Sequence, residues 1–395
     1  VISFDEAVAV LAEVARPLGS ERIPLAKAHG RVLAEPVTAA LDSPRRDVSA
    51  MDGYAVASAE LANLPTRLRV AKAVFAGDNT IPRLTAGECA RIFTGGAVPD
   101  GADRVVVQEA VGRDGDWAIF NAPLSPATHI RKQGFDFRTG DTLLEAGDRL
   151  HARALVSAAA ADQAEVSVFR RPRFAILGTG DELAEPGSAR ASGGTIPDSI
   201  SLAVEALGRD WGGECLGRRL APDQLAELQR LGGELLQGVD LLVVTGGASV
   251  GERDFAKTMF GPEGLDLLFS KVAIKPGKPA WLGRASGRLV LGLPGNPTSA
   301  MVTARLFLAP LLAGLGGRDS AAALDFRSAL LDQPVAAEGD RESFVRARWV
   351  GERVAAIGNQ DSGVQGALAS ADLLIRRPAA SAAAQSGDKV SVLPF

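Results

Sequence analysis

Apolar residues at positions 7, 8, 10, 11, 14 and 15 follow an SFDE start at 3–6. This is the spacing of one helical face behind a capping box, and it predicts a first helix ending before Pro17. A second helical start is expected over 25–33. The pattern breaks at 41–55 (LDSPRRDVSAMDGYA), which reads as a loop that carries something. From about 66 to 128 the runs LRVAKAV, CARIFTG, RVVVQEAV and WAIFNA are set apart by Gly, Pro and Asp, the rhythm of a small β domain. RALVSAAAADQAEVSV is then expected to be helical up to Pro172 and to pack with the N-terminal helices. The β domain would be an insertion between the two.

From 173 the rhythm is strand, turn, helix. RFAILGTGDEL, DLLVVTGG and RLVLGLPGNP are apolar strands running into turns, and 199–207, 224–236 and 302–315 carry helical spacing. Continuous apolar strands alternating with helices predict a parallel, doubly wound sheet, whose ligands bind at the carboxyl ends of the strands. SFVRARWV and KVSVLPF then alternate apolar and polar residues and predict a C-terminal β-barrel or sandwich of about 75 residues, a small domain. The expectation is a multidomain α/β chain. Residues 1–45 with 129–171 form an elongated helical domain, 46–128 an inserted β domain, 172–318 the α/β domain and 319–395 the barrel.

Composition narrows the function classes. At 395 residues the chain exceeds one compact core. A net charge of −4 does not support wholesale nucleic-acid binding, so anions must be met by a local basic patch. Cys89 and Cys215 are far apart and His29, His129 and His151 are scattered, which argues against a histidine-built zinc site. No apolar run reaches the roughly 18 residues of a membrane span, and no secretory leader is read at the start. The expected compartment is the cytoplasm, with no membrane and no nucleic-acid partner.

The stretch 245–299 concentrates the chemistry. TGGASVGERD offers Gly246, Gly247 and Gly251 for close backbone approach, the Ser249 hydroxyl and the Asp254 carboxylate. KVAIKPGKP holds Lys275 and Lys278 together on a proline-stiffened turn after Lys271. It lacks the hydroxyl of a nucleotide P-loop. GLPGNPTS delivers Pro294, Asn296 and Pro297 to a helix start, with Asn296 as candidate cap and Pro297 in the first helical position. Earlier, GTGDEL places Asp181 and Glu182 past a strand as candidate magnesium ligands. SAMDGYAV carries Asp52, and RIFTGGAVPDGAD carries Thr94. Each of these also reads as an ordinary turn or helix start when taken alone.

Together the motifs resemble the molybdopterin molybdenumtransferase family, to which the gephyrin E domain is also similar. SAMDGYAV, TGGAVPDGAD, the GFD turn at 134–136, GTGDEL, TGGASVGERD, KVAIKPGKP and GLPGNPTS stand in the family's order over nearly the whole chain. The resemblance implies an elongated helical domain with an inserted β domain, a molybdopterin-binding α/β domain and a C-terminal barrel. It also implies a homodimer with a shared cleft. The implied reaction inserts molybdate into adenylylated molybdopterin, cleaves the phosphoanhydride and releases AMP and molybdenum cofactor. Magnesium, or zinc in some members, assists, and delivery to cofactor-accepting molybdoenzymes or their chaperones follows.

Carried over by position, the resemblance implies catalytic roles for Asp52, Glu182, Asp254, Lys271 and Lys275, with Glu182 and Asp254 as metal ligands. Substrate contacts fall to Thr94, Asp136, Asp223, Gly246, Gly247, Ser249, Lys278, Pro294, Asn296, Pro297, Arg341 and Ser362. Arg341 and Ser362 come from the barrel motifs RESF and GNQDS, and a guanidinium fork with a hydroxyl suits a tetrahedral oxyanion. Three positions depart from the family pattern. Phe135 stands where glutamate is usual, Ile200 follows Asp-Ser where asparagine is usual, and APDQ around Asp223 has lost an acidic residue. Two alternatives stay open. One is a non-catalytic or altered paralogue acting as a molybdopterin-binding scaffold. The other is a molybdopterin adenylyltransferase, which would need neither SAMDGYAV nor the barrel.

Overall fold

The computed structural model describes residues 1–395 except 122, 124, 192 and 248–254. Helix α1 (Phe4–Val14) begins as expected: the Ser3 hydroxyl accepts from the Glu6 N–H, and the Glu6 carboxylate reaches back to the Ser3 N–H. It joins the central core, together with Ala15 and Leu18, and not the core around α2. Phe4 lies against Phe307, Phe326 and Phe344, and Ala7 and Leu11 are buried in the same core. The helix expected over 25–33 is a single 3-10 turn, Leu25–Lys27. Gly30 has φ +77°, and Val32 and Leu33 are drawn into β-bridges with Arg149 and Val168. The next predicted helix stops early. Helix α2 (Ala152–Ala160) ends before Asp162 at φ +62°, and Glu165–Phe169 forms a strand antiparallel to Ser20–Pro24. Alternating Val166 and Val168 face the core that covers α2.

The inserted segment forms a six-stranded sheet. Its order is Arg104–Val107, Gly53–Val56, Glu88–Ile92, Thr66–Val74, Trp117–Phe120, Val111–Asp114. Gly53–Val56 is paired on both sides, so SAMDGYAV enters the sheet interior and leaves Asp52 at the end of this strand.

The strands of the α/β sheet are β1 (Arg173–Thr179), β2 (Glu214–Ala221), β3 (Leu241–Thr245), β4 (Asp266–Phe269), β5 (Trp281–Ala285) and β6 (Arg288–Leu293). Their order is β2-β1-β3-β6-β5-β4. Both faces are covered. Phe174, Ile176, Leu241, Val243, Leu289 and Leu291 point to one core, and Ala175, Leu177, Leu242, Val244 and Val290 to the other. That is why these strands read as unbroken apolar runs. Helix α3 (Ile200–Asp210) contributes Ile200 and Val204 to the first core, while α4 (Leu225–Leu236) contributes Leu228 and Leu236 to the second. The sheet is not wholly parallel, because β5 runs antiparallel to β6. Ser286 and Gly287, at φ +47° and +74°, join the two strands in a two-residue hairpin turn.

The helical run Pro297–Leu315 is interrupted by a wide turn at Ala304–Leu308. At 19 residues it is long and apolar enough to cross a bilayer, contrary to the expectation from the sequence, yet 94% of its apolar window is buried inside the fold. It is therefore the central core helix. The C-terminal strands Glu342–Val350, Arg353–Ala356, Arg327–Leu331, Lys389–Pro394 and Leu373–Arg377 pair in that order, and the last pairs back onto the first. The result is a closed barrel, as expected. The short strand Ile274–Lys275 joins it alongside Glu342 and Ser343.

Candidate functional site

Three turns meet at the carboxyl ends of β1, β3 and β6. The Gly246 N–H donates to the Leu293 carbonyl at 3.3 Å. A Cβ at Gly246, where φ is +89°, would stand 2.4 Å from the Thr179 carbonyl oxygen, and one at Gly295 would stand 3.3 Å from the Gly246 Cα. Only glycine lets GTG, TGG and LPGN close on one another. Behind them, Asp198 Oδ1 accepts from the N–H groups of Ile200 and Ser201 at 3.1 Å each and caps α3. Asp198 Oδ2, Ser201 Oγ and Thr245 Oγ1 are buried and have no hydrogen-bond partner among the described residues. Unpartnered buried oxygens at a strand's carboxyl end are places for a ligand's polar atoms. Reading the residues for charge passed over Ser201 and Thr245; the strand-end position was the signal that could have found them.

Ile200, where the family pattern has asparagine, opens α3 directly after this cap. Its side chain is buried in the first core, and its N–H is one of those held by Asp198. Glu182 is exposed and folds back over Gly180, its carboxylate 2.8–2.9 Å from where a Cβ at Gly180 would be. Asp181 beside it accepts from the Asp223 N–H at 2.9 Å, so Asp223 sits at the same rim. Ser249, Gly251 and Asp254 lie outside the described residues. Among the described residues no group of three metal-ligating side chains is arranged to hold an ion.

The lysine turn lies beside these strand ends, against the barrel. Gly277, at φ +110°, presses on α5 (Pro297–Thr303): a Cβ there would overlap the Thr303 methyl at 2.2 Å. The Val272 N–H donates to the Lys278 carbonyl, and the Glu342 N–H donates to that of Ala273. These contacts fix the turn's backbone and leave the Lys275 and Lys278 side chains exposed. They line a cavity of about 660 Å³ together with Arg341, Ser299, Ser362 and Asp361. Lys271 is not in its lining; its carbonyl accepts from the Ile2 N–H.

Asn296 does not cap α5 with its side chain. Its Nδ2 donates instead to Ser362 Oγ at 3.1 Å and ties the LPGNP turn to the barrel. Pro297 does occupy the first turn of α5. The loop carrying Ser362 is organised by Arg346, 1% exposed, which sequence reading passed over. Its guanidinium donates to Thr298 Oγ1 and to the carbonyls of Val364, Asn359 and Asp361 at 3.0–3.3 Å. The cavity also contains carboxylate: the Ser343 hydroxyl donates to Glu338 at 2.5 Å, and Asp361 accepts from the Gly363 N–H.

Asp52 and Thr94, distant in sequence, are in contact. Asp52 Oδ1 accepts from the Thr94 N–H and hydroxyl at 2.8 Å each. These donors, with the charge of Arg91, hold the Asp52 carboxyl below the usual carboxylate range. Asp136 is exposed in a neighbouring turn, its N–H bonded to the Ser43 carbonyl, and Phe135 beside it is 71% exposed. None of these residues lines the large cavity.

Three family models cover this architecture in order. They are the MoeA N-terminal region (domain I and II) over residues 2–161, a probable molybdopterin binding domain over 175–314, and the MoeA C-terminal region (domain IV) over 328–395. A molybdopterin molybdenumtransferase of Haemophilus influenzae is 37% identical over 310 residues, 78% of this chain and 76% of its own. The chain belongs to the molybdopterin molybdenumtransferase family. Two solved molybdopterin biosynthesis MoeA proteins of Pyrococcus horikoshii agree in fold, with TM-scores of 0.84 and 0.85 at 30% and 25% identity. Each match covers 100% of this chain and 99% or 100% of the relative. The chain is thus a transferase of molybdenum cofactor biosynthesis.

Proposed function

We propose that the chain inserts molybdate into adenylylated molybdopterin, with cleavage of the phosphoanhydride and release of AMP and molybdenum cofactor. One observation carries the reading. A single cavity gathers Lys275, Lys278, Arg341 and Ser362 beside the turns at the strand ends. Two ammonium groups, a guanidinium fork and a hydroxyl are the donors that a tetrahedral oxyanion needs. The adjoining strand ends, with Ser201, Thr245 and the glycine amides, supply donors and space for the pterin's phosphate. An adenylyltransferase is disfavoured, because most of this cavity's lining is barrel.

Asp52, Thr94 and Asp136 would complete the cleft from a second copy in a homodimer, since in one chain they stand apart from the cavity. Magnesium or zinc would spread the phosphoanhydride's charge through Glu182 and Asp254. The described carboxylates do not by themselves make up such a site. The cytoplasm suits two cysteines that are both free, and delivery to molybdoenzymes or their chaperones would follow release. The test is AMP release from adenylylated molybdopterin by the purified chain with and without molybdate. Release that depends on molybdate is expected; no release with magnesium present would overturn the reading in favour of a scaffold.

A further inference from the structure

A second cavity, of about 110 Å³, lies at the seam where residues 30–32, 149 and 169–171 meet residues 209–212 and 312–318. It shares no lining residue with the large one. Six arginines line it: Arg31, Arg149, Arg170, Arg171, Arg209 and Arg318. Three are matched by carboxylates. Arg31 pairs with Glu21 at 2.5 Å, Arg170 with Asp240 at 2.9 Å and Arg209 with Glu205 at 2.6 Å. Arg149, Arg171 and Arg318 have no ion pair among the described residues, and Asp210 is the one carboxylate in the lining.

Of these three, Arg318 is held in place, while Arg149 and Arg171 are exposed. The Arg318 guanidinium lies 4.6 Å over the Trp211 ring, and Arg305 lies 4.9 Å from the same ring on its way to the carbonyls of Pro394 and Ala323. Burial lowers the pKa of Arg318, and the charge of Arg149 adds to this. Burial likewise brings Arg305 down to about 10, with Arg318 contributing. Like charges partly withdrawn from water and fixed together repel unless an anion joins them.

We propose that this seam cavity binds a small tetrahedral oxyanion of the inorganic phosphate class, which bridges the N-terminal segments to the α/β unit. Arginine forks match such an ion in geometry and charge. The volume admits one phosphate-sized group and falls well below the roughly 300 Å³ at which pockets for nucleosides or pterins begin. The ion's contacts to Arg149 on one side and Arg318 on the other would make it a clamp on the seam.

The test is thermal unfolding of the full chain in inorganic phosphate, at ionic strength held constant with potassium chloride. At 20 mM phosphate and a millimolar Kd, Tm should rise by about 2 °C. Arg149→Gln should abolish that rise without lowering Tm in chloride, because Arg149 is exposed and its charge opposes that of Arg318. Arg318→Gln should also abolish it, though it disturbs the Trp211 stack. Lys275→Ala should keep it, which separates this cavity from the larger one. A rise retained in Arg149→Gln or a rise lost in Lys275→Ala would overturn the proposal.

Discussion

The two cationic cavities are built by opposite means. In the large one the cations stand on turns whose backbones are pinned by hydrogen bonds, and the charges themselves stay exposed. In the small one the cations lie on and beside regular elements, and half of them are spent on ion pairs before any ligand arrives. An exposed ammonium on a fixed turn can follow a substrate in and out. A half-buried guanidinium stacked on Trp211 is suited to holding an ion in place.

The same difference decides what could be read from the sequence. A turn that must approach its neighbours needs Gly or Pro in particular places, so GTGDEL, TGG, KPGKP and GLPGNP announced themselves, and the structure brings all four to one region. The six arginines of the seam come from five separate stretches of chain, none with a pattern of its own, and only folding puts them together. Arg346 was hidden in another way. In SFVRARWV it stands on the face opposite Val345 and Ala347 of the barrel core, where alternation predicts an outward polar residue, yet it is buried because the loop at 358–364 lies over it and supplies carbonyls to both ends of its guanidinium. The antiparallel strand β5 was legible in principle, since Ser286-Gly287 is a two-residue hairpin signal between apolar runs. The early end of α2 was not, because alanine-rich sequence favours helix until Val166 and Val168 find a strand partner.

The strongest way to break the comparison is to unpin the large cavity from behind. Arg346→Ala would leave one hydroxyl and three carbonyls without their donor in a buried site. It should cost about 3 kcal/mol or more of stability, and molybdate-dependent turnover should fall with it. Arg346→Lys should rescue little, because one ammonium cannot reach both sides of the fork. Urea unfolding with turnover in parallel checks this; wild-type stability in either variant would reject Arg346 as the organiser of the Ser362 loop.

Removing an exposed charge from a pinned turn should do the reverse. Lys275→Ala should lower kcat/KM for molybdate by about 100-fold, the scale of losing one fixed charge donor at a reacting oxyanion. Its Tm should move by less than about 2 °C, because among the described residues the Nζ carries no hydrogen bond or ion pair. A large drop in Tm with turnover retained would make the turn structural.

The small cavity is tested through its counter-ions. Asp240 is almost fully buried, and burial alone would raise its pKa. Hydrogen bonds from Arg170 and the Arg173 N–H outweigh this, so the carboxyl titrates below its usual range. Its contribution to stability is therefore complete above the unfolded value of about 3.9 and is lost as pH falls through the lower folded value. Asp240→Asn should cost about 2 kcal/mol at pH 7, less than a fully buried pair because Arg170 is partly exposed. It should also flatten the loss of stability below pH 4. Urea midpoints between pH 3 and 7 would check both, and a variant that still loses stability as steeply as wild type would place the acid-sensitive group elsewhere.

The smallest expected effect asks whether the large cavity is a whole site or half of one. Asp52 lines neither cavity, and its two hydrogen bonds to Thr94 only tie together the loops at the ends of two neighbouring strands of the inserted sheet. If the turn served the fold alone, Asp52→Asn, which keeps one acceptor for the Thr94 donors, would be silent in every assay. If a second copy brings this turn to the cavity mouth, the carboxylate's charge is what matters. Asp52→Asn should then lower turnover by about tenfold, the low end of losing one charged group from a reaction site, with Tm unchanged. A mixture separates the two cases. Coexpressed with Lys275→Ala, it should regain part of the lost turnover, because a heterodimer of the two variants keeps one cleft with both groups intact. No recovery in proven heterodimers would confine the site to the single-chain cavity and leave Asp52 as a turn residue.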